Sequence, residues 1–287
     1  MVAYHPKISI VTPSFNQDQW VEKTIQSVLN QNLPDVEYII VDGNSTDGTK
    51  DILAKYNNQL NHLIIEPDQG MYDALDKGFK LTTGAVMGWI NSDDMLHPNA
   101  LLTVKRIFED LPEVEWLTGC RTVFDEQDCC VATEPAASWS RAKVLSGDYK
   151  WIQQESTFWR RNLYEKAGGF VSQDFKLAGD FELWSRFFAH AQLYSTDALL
   201  GGFRVRRENQ ASLEGLSRYE EEVKAIIDST KKDKELLNQI DLYKQSQSHT
   251  VSRRIKSRLF DSAKATPFFP PRIYFDRQAQ RFKLHSQ

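Results

Sequence analysis

The stretch VEYIIVDGNSTDGTKDILAKY, residues 36–56, indicates the fold class. It opens with an apolar run at 36–41 that has the length of a buried strand. Two Asp-Gly turn signals follow, at 42–43 and 47–48, and a helical pattern then runs through 51–56. A strand, a turn and a helix in this order form one unit of a sheet in which strands alternate with helices.

The same alternation continues on both sides of this stretch. We predict further strands at 7–12, 63–65 and 85–90, and helices at 18–32, 71–79 and 98–111. Short buried strands that alternate with amphipathic helices predict a mainly parallel sheet covered on both faces. The predicted fold class is therefore α/β, a single three-layer α/β/α domain with a mainly parallel, Rossmann-like central sheet.

The second half of the chain is less regular. We predict one or two strands within 115–124, a strand at 157–159, helices at 162–167 and 180–188, and a last strand at 199–205. Beyond about residue 212, a charge-rich stretch to residue 240 has a helical pattern. The chain is therefore expected to divide into a domain of residues 1–212 and a helical, basic C-terminal extension of residues 213–287.

The composition fits an ordinary folded protein, with 41% apolar and 26% charged residues. No signal-peptide pattern is visible, and no run approaches the roughly 18 apolar residues that cross a bilayer. The cysteines, Cys120, Cys129 and Cys130, are odd in number and lack zinc-ligand spacing. They are interpreted as free, buried thiols of a reducing compartment, so we expect a cytoplasmic protein.

Polar residues cluster where four of the predicted strands end, at 12–16, 42–45, 66–70 and 91–94. Any one of these segments could be plain turn chemistry, because turns favour Asp, Asn, Ser and Gly. In an open parallel sheet, however, ligands bind outside the carboxyl ends of the strands. Four such segments at successive strand ends would converge on one rim, so together they predict a binding site.

Asp93 and Asp94 carry the sharpest signal among these segments. Adjacent carboxylates directly after a buried strand repel each other and lose hydration, unless a cation compensates them. Mg²⁺ or Mn²⁺ is typically held by one or two carboxylates together with phosphate oxygens. The alternative is a solvated helix start, because Pro98 follows and acidic residues favour the first turn of a helix.

Six segments together resemble glycosyltransferase family 2, whose members are inverting enzymes with the A-type nucleotide-sugar transferase fold. The match runs over residues 8–212, and the order and spacing of the segments are more specific than any one of them. The segments are IVTPSFN (10–16), IVDGNSTDGT (40–49), EPDQGMYDA (66–74), NSDD (91–94), QESTF (154–158) and AGDFELW (178–184).

The resemblance implies a nucleotide-binding set and a metal-binding pair. Asp42 would accept a hydrogen bond from the base, Asp68 would bracket the ribose or the sugar, and Asp93 and Asp94 would contact ribose and metal. The family pattern often begins with Asp where this chain has Asn91. The implied cofactor is Mn²⁺ or Mg²⁺. The full implied nucleotide-binding set is Thr12, Pro13, Ser14, Asn16, Asp42, Asp68 and Asp93, and the implied metal ligands are Asp94 and Asp93.

The resemblance also implies that Asp180 is the general base. Inversion by a single displacement needs a carboxylate within hydrogen-bond reach of the attacking acceptor hydroxyl. Two alternatives stay open for this part of the sequence: Asp180 could be only a helix N-cap, or Glu182 could be the base.

Many members of the family carry a late Phe-Arg-x-His stretch, and this chain has Arg206 at the place of the histidine. A guanidinium does not ligate a cation, but it pairs with phosphate oxygens. Arg206 and Arg207 are therefore expected to contact the diphosphate, and the alternative is a solvated basic loop.

The function implied is transfer of a hexosyl or N-acetylhexosaminyl group from a nucleoside-diphosphate sugar to an acceptor hydroxyl. A UDP-sugar is the expected donor, and a saccharide or lipid-linked molecule of cell-surface polysaccharide or glycolipid synthesis is the expected acceptor. A nucleotidyltransferase would need an early Gly-rich loop with a basic residue, which 12–16 lacks. A non-catalytic sugar-nucleotide-binding protein should have lost the acidic residues Asp93, Asp94 or Asp180, and all three are present.

The last 37 residues, 251–287, hold nine Lys or Arg but only two Asp, in a chain of net charge −4. Aromatic residues are interleaved with these basic ones. The pattern suits an anionic membrane surface, which predicts a peripheral enzyme on the inner face of the membrane. Nucleic acid is not expected as a partner, because the rest of the chain is acidic. In the alternative interpretation, the aromatic residues of this tail pack back onto the domain.

Overall fold

The computed structural model describes residues 5–207, 215–230, 232–248 and 269–285. Its central sheet has seven strands with helices on both sides, so the predicted α/β class is confirmed. The strands are β1 Ile8–Ser14, β2 Val36–Asp42, β3 His62–Ile65, β4 Val86–Trp89, β5 Met95–Leu96, β6 Trp116–Thr118, β7 Arg121–Phe124, β8 Cys130–Glu134, β9 Thr157–Arg160, β10 Leu193–Ser195, β11 Gly201–Arg204, β12 Ile273–Asp276 and β13 Arg281–Leu284. The helices are α1 Val21–Leu29, α2 Thr49–Tyr56, α3 Met71–Leu81, α4 Ala100–Asp110, α5 Arg141–Leu145, α6 Arg161–Lys166, α7 Gly179–Phe187, α8 Leu216–Ser229 and α9 Lys234–Ser248.

The central sheet has the strand order β10-β6-β9-β4-β1-β2-β3. Strands β1, β2, β3 and β4 run parallel, while β9 lies antiparallel to both of its neighbours. The register pairs Ser14 at the end of β1 with Asp42 at the end of β2. The segments that follow β1, β2, β3 and β4 therefore leave the sheet at the same edge, as the sequence predicts.

Each face of the sheet covers its own hydrophobic core. One core lies under α1 and α4 and is mainly aliphatic. The other lies under α3, α6 and α7 and is strongly aromatic. Its centre contains Trp89 and Trp184, stacked with ring centroids 5.5 Å apart, and Trp159, which meets both rings edge to face. These buried rings fix α7 against the sheet close to the end of β4.

A smaller sheet of order β5-β11-β7-β8 stands next to the end of β4. Strand β11 passes so close to the turn at 154–156 that a Cβ at Gly201 would lie 1.9 Å from the carbonyl oxygen of Glu155. Only glycine permits this approach. The close fit places Arg204, at the end of β11, beside Asp93 and Asp94.

In the described part of the chain, the C-terminal segments pack onto the α/β body at three places. Helix α8 lies against α7, helix α9 lies against α5, and the hairpin β12–β13 lies against α4. Ile273 and Phe282 of the hairpin are buried, and the guanidinium of Arg106 lies over the ring of Phe275 at 5.2 Å. For residues 269–285, therefore, the aromatic side chains pack onto the domain, as the alternative interpretation of the tail expects. Residues 253–264, where the sequence also allows a short helix, lie outside the described residues.

In the described part of the chain, none of the helices combines the length and the apolar character needed to cross a membrane.

Candidate active site

Two strand-end loops, after β1 and after β2, are tied together by side chains. The Asp42 carboxylate accepts hydrogen bonds from the backbone N–H and the hydroxyl of Ser45, at 2.8 and 2.7 Å. The Asn16 backbone N–H donates to the Ser45 hydroxyl at 2.8 Å, and the Asn16 Oδ1 accepts from the Thr46 N–H at 2.8 Å. Asp42 is thus fixed at the rim of the sheet by its own turn, and the turn by the loop after β1.

Three predicted residues of β1 lie inside this rim. The hydroxyl of Thr12 is buried and forms a 3.0 Å hydrogen bond with the hydroxyl of Tyr38, and Pro13 is also buried. Ser14 is 4% exposed, and its Oγ has no hydrogen-bond partner within the described structure. A buried hydroxyl without a partner is costly unless a ligand or water satisfies it, so Ser14 is the member of this group best suited to contact a ligand.

Asp68 reaches the same rim from the loop after β3. Its Oδ1 accepts a hydrogen bond from the Gly70 N–H at 2.8 Å, and its carboxylate lies against Gly43. A Cβ at Gly43 would come within 2.6 Å of the Asp68 Oδ2, so the glycine makes room for the carboxylate. Burial raises the pKa of Asp68 above its ordinary value. The structure therefore brings Asp42 and Asp68 together beside one glycine.

The two adjacent acids after β4 occupy different environments. Asp94 is 1% exposed, and its carboxylate accepts hydrogen bonds from the Arg204 backbone N–H at 2.8 Å and from the Asn91 Nδ2 at 3.2 Å. The side chain of Asp93 is 16% exposed and forms a 2.8 Å ion pair with Arg206. Burial raises the pKa of both carboxyls, and the charge of Asp93 raises that of Asp94 further. Asp94 therefore faces the interior, and Asp93 faces the open side.

The three arginines near the end of β11 also differ. Arg204 is fully buried, donates from Nε to the Asp93 carbonyl oxygen at 2.6 Å and forms a 2.7 Å ion pair with Asp128. The side chain of Arg206 is 10% exposed and points to Asp93. The side chain of Arg207 is 90% exposed, and its Nε lies 3.8 Å from Oε2 of Glu126. The structure thus brings Arg206, but not Arg207, to the acidic cluster.

Asp180 lies in the first turn of α7 and is half-buried. Burial raises its pKa to about 6, with a smaller contribution from the charge of Glu222. The N-cap residue of α7 is Ala178, so Asp180 does not occupy the capping position. Glu182, the alternative base, is held by two 2.8 Å hydrogen bonds from Arg186. Of the two carboxylates, Asp180 is therefore the one not already paired with a cation.

Glu155 is a site residue that the sequence reasoning did not single out. It is 4% exposed, and its Oε1 has no hydrogen-bond partner among the described residues. Burial raises its pKa to about 7, and the charges of Asp93 and Asp180 add to this effect. Its neighbour Gln154 donates from Nε2 to the Trp89 carbonyl oxygen at 2.7 Å, so Glu155 lies beside the end of β4. The sequence signal for this residue is the glutamate within the segment QESTF, to which the family resemblance assigns no role.

The donor groups at this rim fit a hard divalent ion that is shared with a diphosphate. Within the described ranges, no three His, Cys, Asp or Glu side chains are grouped as a metal cage. A Mg²⁺-type site does not need one, because one or two carboxylates with phosphate oxygens suffice. Asp93 offers a carboxylate on the open side, and Arg206 beside it offers a guanidinium for phosphate.

Comparisons with known proteins agree with this architecture. The family model described as Glycosyl transferase family 2 matches residues 9–127, which confirms the predicted resemblance. The putative teichuronic acid biosynthesis glycosyltransferase TuaG of Bacillus subtilis is 37% identical over 97 residues. That match covers 33% of this chain, and the chain spans only 38% of the length of the relative.

Two solved structures share the fold at low sequence identity. One is S. aureus TarS, residues 1–349, in complex with UDP-GlcNAc. The TM-score is 0.64 and the sequences are 16% identical, and the match covers 88% of this chain and 76% of that chain. The other is the mannosyltransferase PcManGT from Pyrobaculum calidifontis in complex with GDP-Man and Mn²⁺, with a TM-score of 0.63, 16% identity, and coverage of 86% and 71%. The A-type glycosyltransferase fold predicted for this chain is confirmed.

Proposed function

We propose, from the family match at residues 9–127 and the geometry of the rim, that this protein is an inverting, metal-dependent glycosyltransferase. It moves a hexosyl or N-acetylhexosaminyl group from a nucleoside-diphosphate sugar to an acceptor hydroxyl. Two geometric observations carry the proposal. The ion pair of Asp93 and Arg206 stands at the strand-end rim. Tyr72, which follows the Asp68 loop, donates to the Leu177 carbonyl oxygen at 2.7 Å, just before Asp180. The carboxylate proposed for the diphosphate side and the carboxylate proposed as the base therefore border one site.

The nucleotide is proposed to bind across the strand-end loops. Asp42 and Asp68, which meet at Gly43, contact base and ribose, and the unpartnered Ser14 hydroxyl and Asn16 complete this side. Thr12 and Pro13 support the wall from inside, since the Thr12 hydroxyl is already bonded to Tyr38.

The diphosphate is proposed to bind between Asp93 and Arg206. Asp93 would hold Mn²⁺ or Mg²⁺, which supplies positive charge to the departing diphosphate. Arg206 exchanges its ion pair with Asp93 for phosphate oxygens, which a guanidinium binds in a bidentate manner. Asp94 supports Asp93 from the interior through its hydrogen bond with the Arg204 N–H, and the exposed Arg207 has at most a long-range effect.

Asp180 is proposed as the general base. It accepts the proton of the acceptor hydroxyl while the hydroxyl oxygen attacks C1 of the donor sugar and the bond from C1 to the diphosphate breaks. A pKa of about 6 leaves Asp180 ionised at neutral pH, yet closer to the ideal for a base than an ordinary aspartate.

The donor is proposed to be a UDP-sugar and the acceptor a saccharide or lipid-linked molecule of cell-surface polysaccharide synthesis. Two similar proteins support this choice, because one is named for teichuronic acid biosynthesis and the other was solved in complex with UDP-GlcNAc. A cytoplasmic location at the inner face of the membrane, through the basic residues of 251–287, belongs to the same proposal.

Binding of nucleoside diphosphates tests the proposal before any acceptor is known. Titration calorimetry with UDP, GDP, ADP and CDP, each with and without Mn²⁺, should show one diphosphate that binds tightly only with the ion. Asp42→Ala should abolish this binding, while the exposed Asp51→Ala in α2 should not change it. Equal binding of all four, or none, would contradict a nucleotide-sugar site.

Release of free nucleoside diphosphate separates the three candidate functions. A glycosyltransferase releases it from the nucleotide sugar, a nucleotidyltransferase releases pyrophosphate from a nucleoside triphosphate, and a binding protein releases neither.

A further inference from the structure

The C-terminal extension contributes one carboxylate to the start of α7. Glu222 of α8 accepts backbone hydrogen bonds from Leu177 at 2.9 Å and from Ala178 at 3.0 Å. It also accepts from the Lys176 N–H at 3.1 Å. These three N–H groups directly precede α7, whose N-cap residue Ala178 has no polar side chain to cap the helix. Glu222 therefore anchors the segment that leads into α7, and its bond with the Ala178 N–H satisfies one of the N–H groups left open at the start of the helix.

The same segment is held from the opposite side by α3. The hydroxyl of Tyr72 donates a 2.7 Å hydrogen bond to the Leu177 carbonyl oxygen. The Tyr72 ring lies so close to Gly179 that a Cβ there would come within 2.8 Å of it. Residues 177–179 are thus clamped between α3, which follows the Asp68 loop, and α8 of the extension. Asp180 is the next residue.

Glu222 also acts on Asp180 through its charge. Burial opposes the ionisation of Glu222, but the three N–H groups and Arg218, 3.2 Å away, lower its pKa below the ordinary value. Its negative charge adds to the effect of burial in raising the pKa of Asp180. Within the described ranges, the other titratable groups that act on Asp180 electrostatically are Tyr72 and Tyr219, both kept neutral by burial, and the carboxyl of Glu155.

We propose that Glu222 is a positioning residue for Asp180, so that the C-terminal extension is an integral part of the proposed active site. Its hydrogen bonds fix the backbone of residues 176–178 before Asp180, and its negative charge acts on the Asp180 carboxyl. The proposal rests on the role of Asp180 under the proposed function, but its first test does not depend on enzymatic activity.

The first test is a pH titration of the Asp180 carboxyl by ¹³C NMR, with Asp180→Asn used for assignment. Glu222→Gln removes a negative charge but keeps an acceptor oxygen, so the pKa of Asp180 should fall by about half a pH unit or more. Arg218→Gln should raise the pKa of Asp180, because the charge of Glu222 is then no longer offset. Arg218 is 62% exposed, so this variant is expected to fold. Glu220→Gln is the matched control, because Glu220 lies on the same helix but pairs with Lys150, and it should leave the pKa of Asp180 unchanged.

The second test is kinetic and uses the donor found by the binding panel. Glu222→Gln should shift the acid limb of the kcat profile to lower pH, and Glu222→Ala should lower kcat roughly 10-fold or more at unchanged donor KM. An Asp180 pKa that is the same in Glu222→Gln, Arg218→Gln and Glu220→Gln would overturn the proposal. If Asp180→Asn kept wild-type turnover while the NMR shifts appeared, the assignment of the base would be wrong and the coupling would still stand.

Discussion

Neighbouring residues of one type do different work in this site. Asp93 and Asp94 are adjacent in sequence, yet one pairs with Arg206 on the open side and the other binds the Arg204 backbone inside the protein. The arginines at and after the end of β11 differ in the same way, since Arg204 is buried and Arg207 is exposed. The sequence pattern predicted the cluster, but it could not assign inward and outward roles, because these depend on how β11 approaches the loop after β4.

Separate alanine substitutions should distinguish the two aspartates. Asp93→Ala should abolish the stimulation of nucleotide binding by Mn²⁺, because it removes the carboxylate on the open side of the site. Asp94→Ala should lower the stability by about 1–3 kcal/mol, because the Arg204 N–H loses its buried acceptor. Calorimetry and thermal unfolding measure the two effects, and a reversed pattern would show that Asp94 is the main ligand.

The pH dependence of turnover should follow Asp180. The base must be deprotonated, and burial raises its pKa to about 6, so kcat should rise with pH through about 6 and level off above neutrality. An ordinary aspartate would be ionised well below this range. A profile that is flat from pH 5 to pH 8 would show that Asp180 is not the base or that its carboxyl is not perturbed.

At the scale of elements, the four strand ends were predictable because buried apolar runs and turn residues mark them clearly. Six short elements were not predicted, β5, β8, β10, β12, β13 and α5, which are 2–5 residues long. Strand β8 is exposed along its whole length, so it has no buried face for a sequence pattern to mark. For the same reason the prediction of buried thiols is wrong for Cys129 and Cys130, which are exposed, and holds for Cys120. The antiparallel direction of β9 was also not predictable, because a buried strand reads the same in either direction.

The close approach of β11 to the turn at 154–156 gives a prediction for this element. Gly201→Ala would place a Cβ 1.9 Å from the Glu155 carbonyl oxygen, which is backbone and cannot move aside as a side chain can. We expect a loss of roughly 1–3 kcal/mol of stability together with weaker nucleotide binding. Gly48→Ala is the control, because its Cβ would meet only the movable Asp18 side chain, 3.2 Å away. Equal melting temperatures for both variants would contradict the packing described here.

At the scale of the whole molecule, the described part of the extension attaches to the α/β body at three places, through α8, α9 and the hairpin β12–β13. The sequence predicted a helical and basic tail, and helices α8 and α9 bear out the first part. The contacts of Glu222 with residues 176–178 were not predictable, because they join positions more than 40 residues apart and leave no local pattern. Ile273 and Phe282 show that part of the tail serves packing.

The predicted membrane contact depends on the basic residues that precede the hairpin β12–β13 in the sequence. Replacing Arg253, Arg254, Lys256 and Arg258 by Gln should weaken binding to vesicles that contain anionic lipid, by about 1 kcal/mol per charge at low salt. The hairpin stays intact in this variant, so loss of binding cannot come from loss of packing on α4. Cosedimentation measures the effect, with neutral vesicles as the control. Equal binding by both proteins would remove the membrane from the proposal.

The most direct test of the central claim is the turnover of Asp180→Asn with the nucleotide sugar identified by the binding panel. This variant should bind the nucleoside diphosphate with Mn²⁺ as tightly as the wild type does. The rate at which it releases nucleoside diphosphate from the nucleotide sugar in the presence of acceptor should fall roughly 10²-fold or more. Near-normal turnover by Asp180→Asn would contradict the account, and the catalytic carboxylate would then have to be sought elsewhere, first at Glu155.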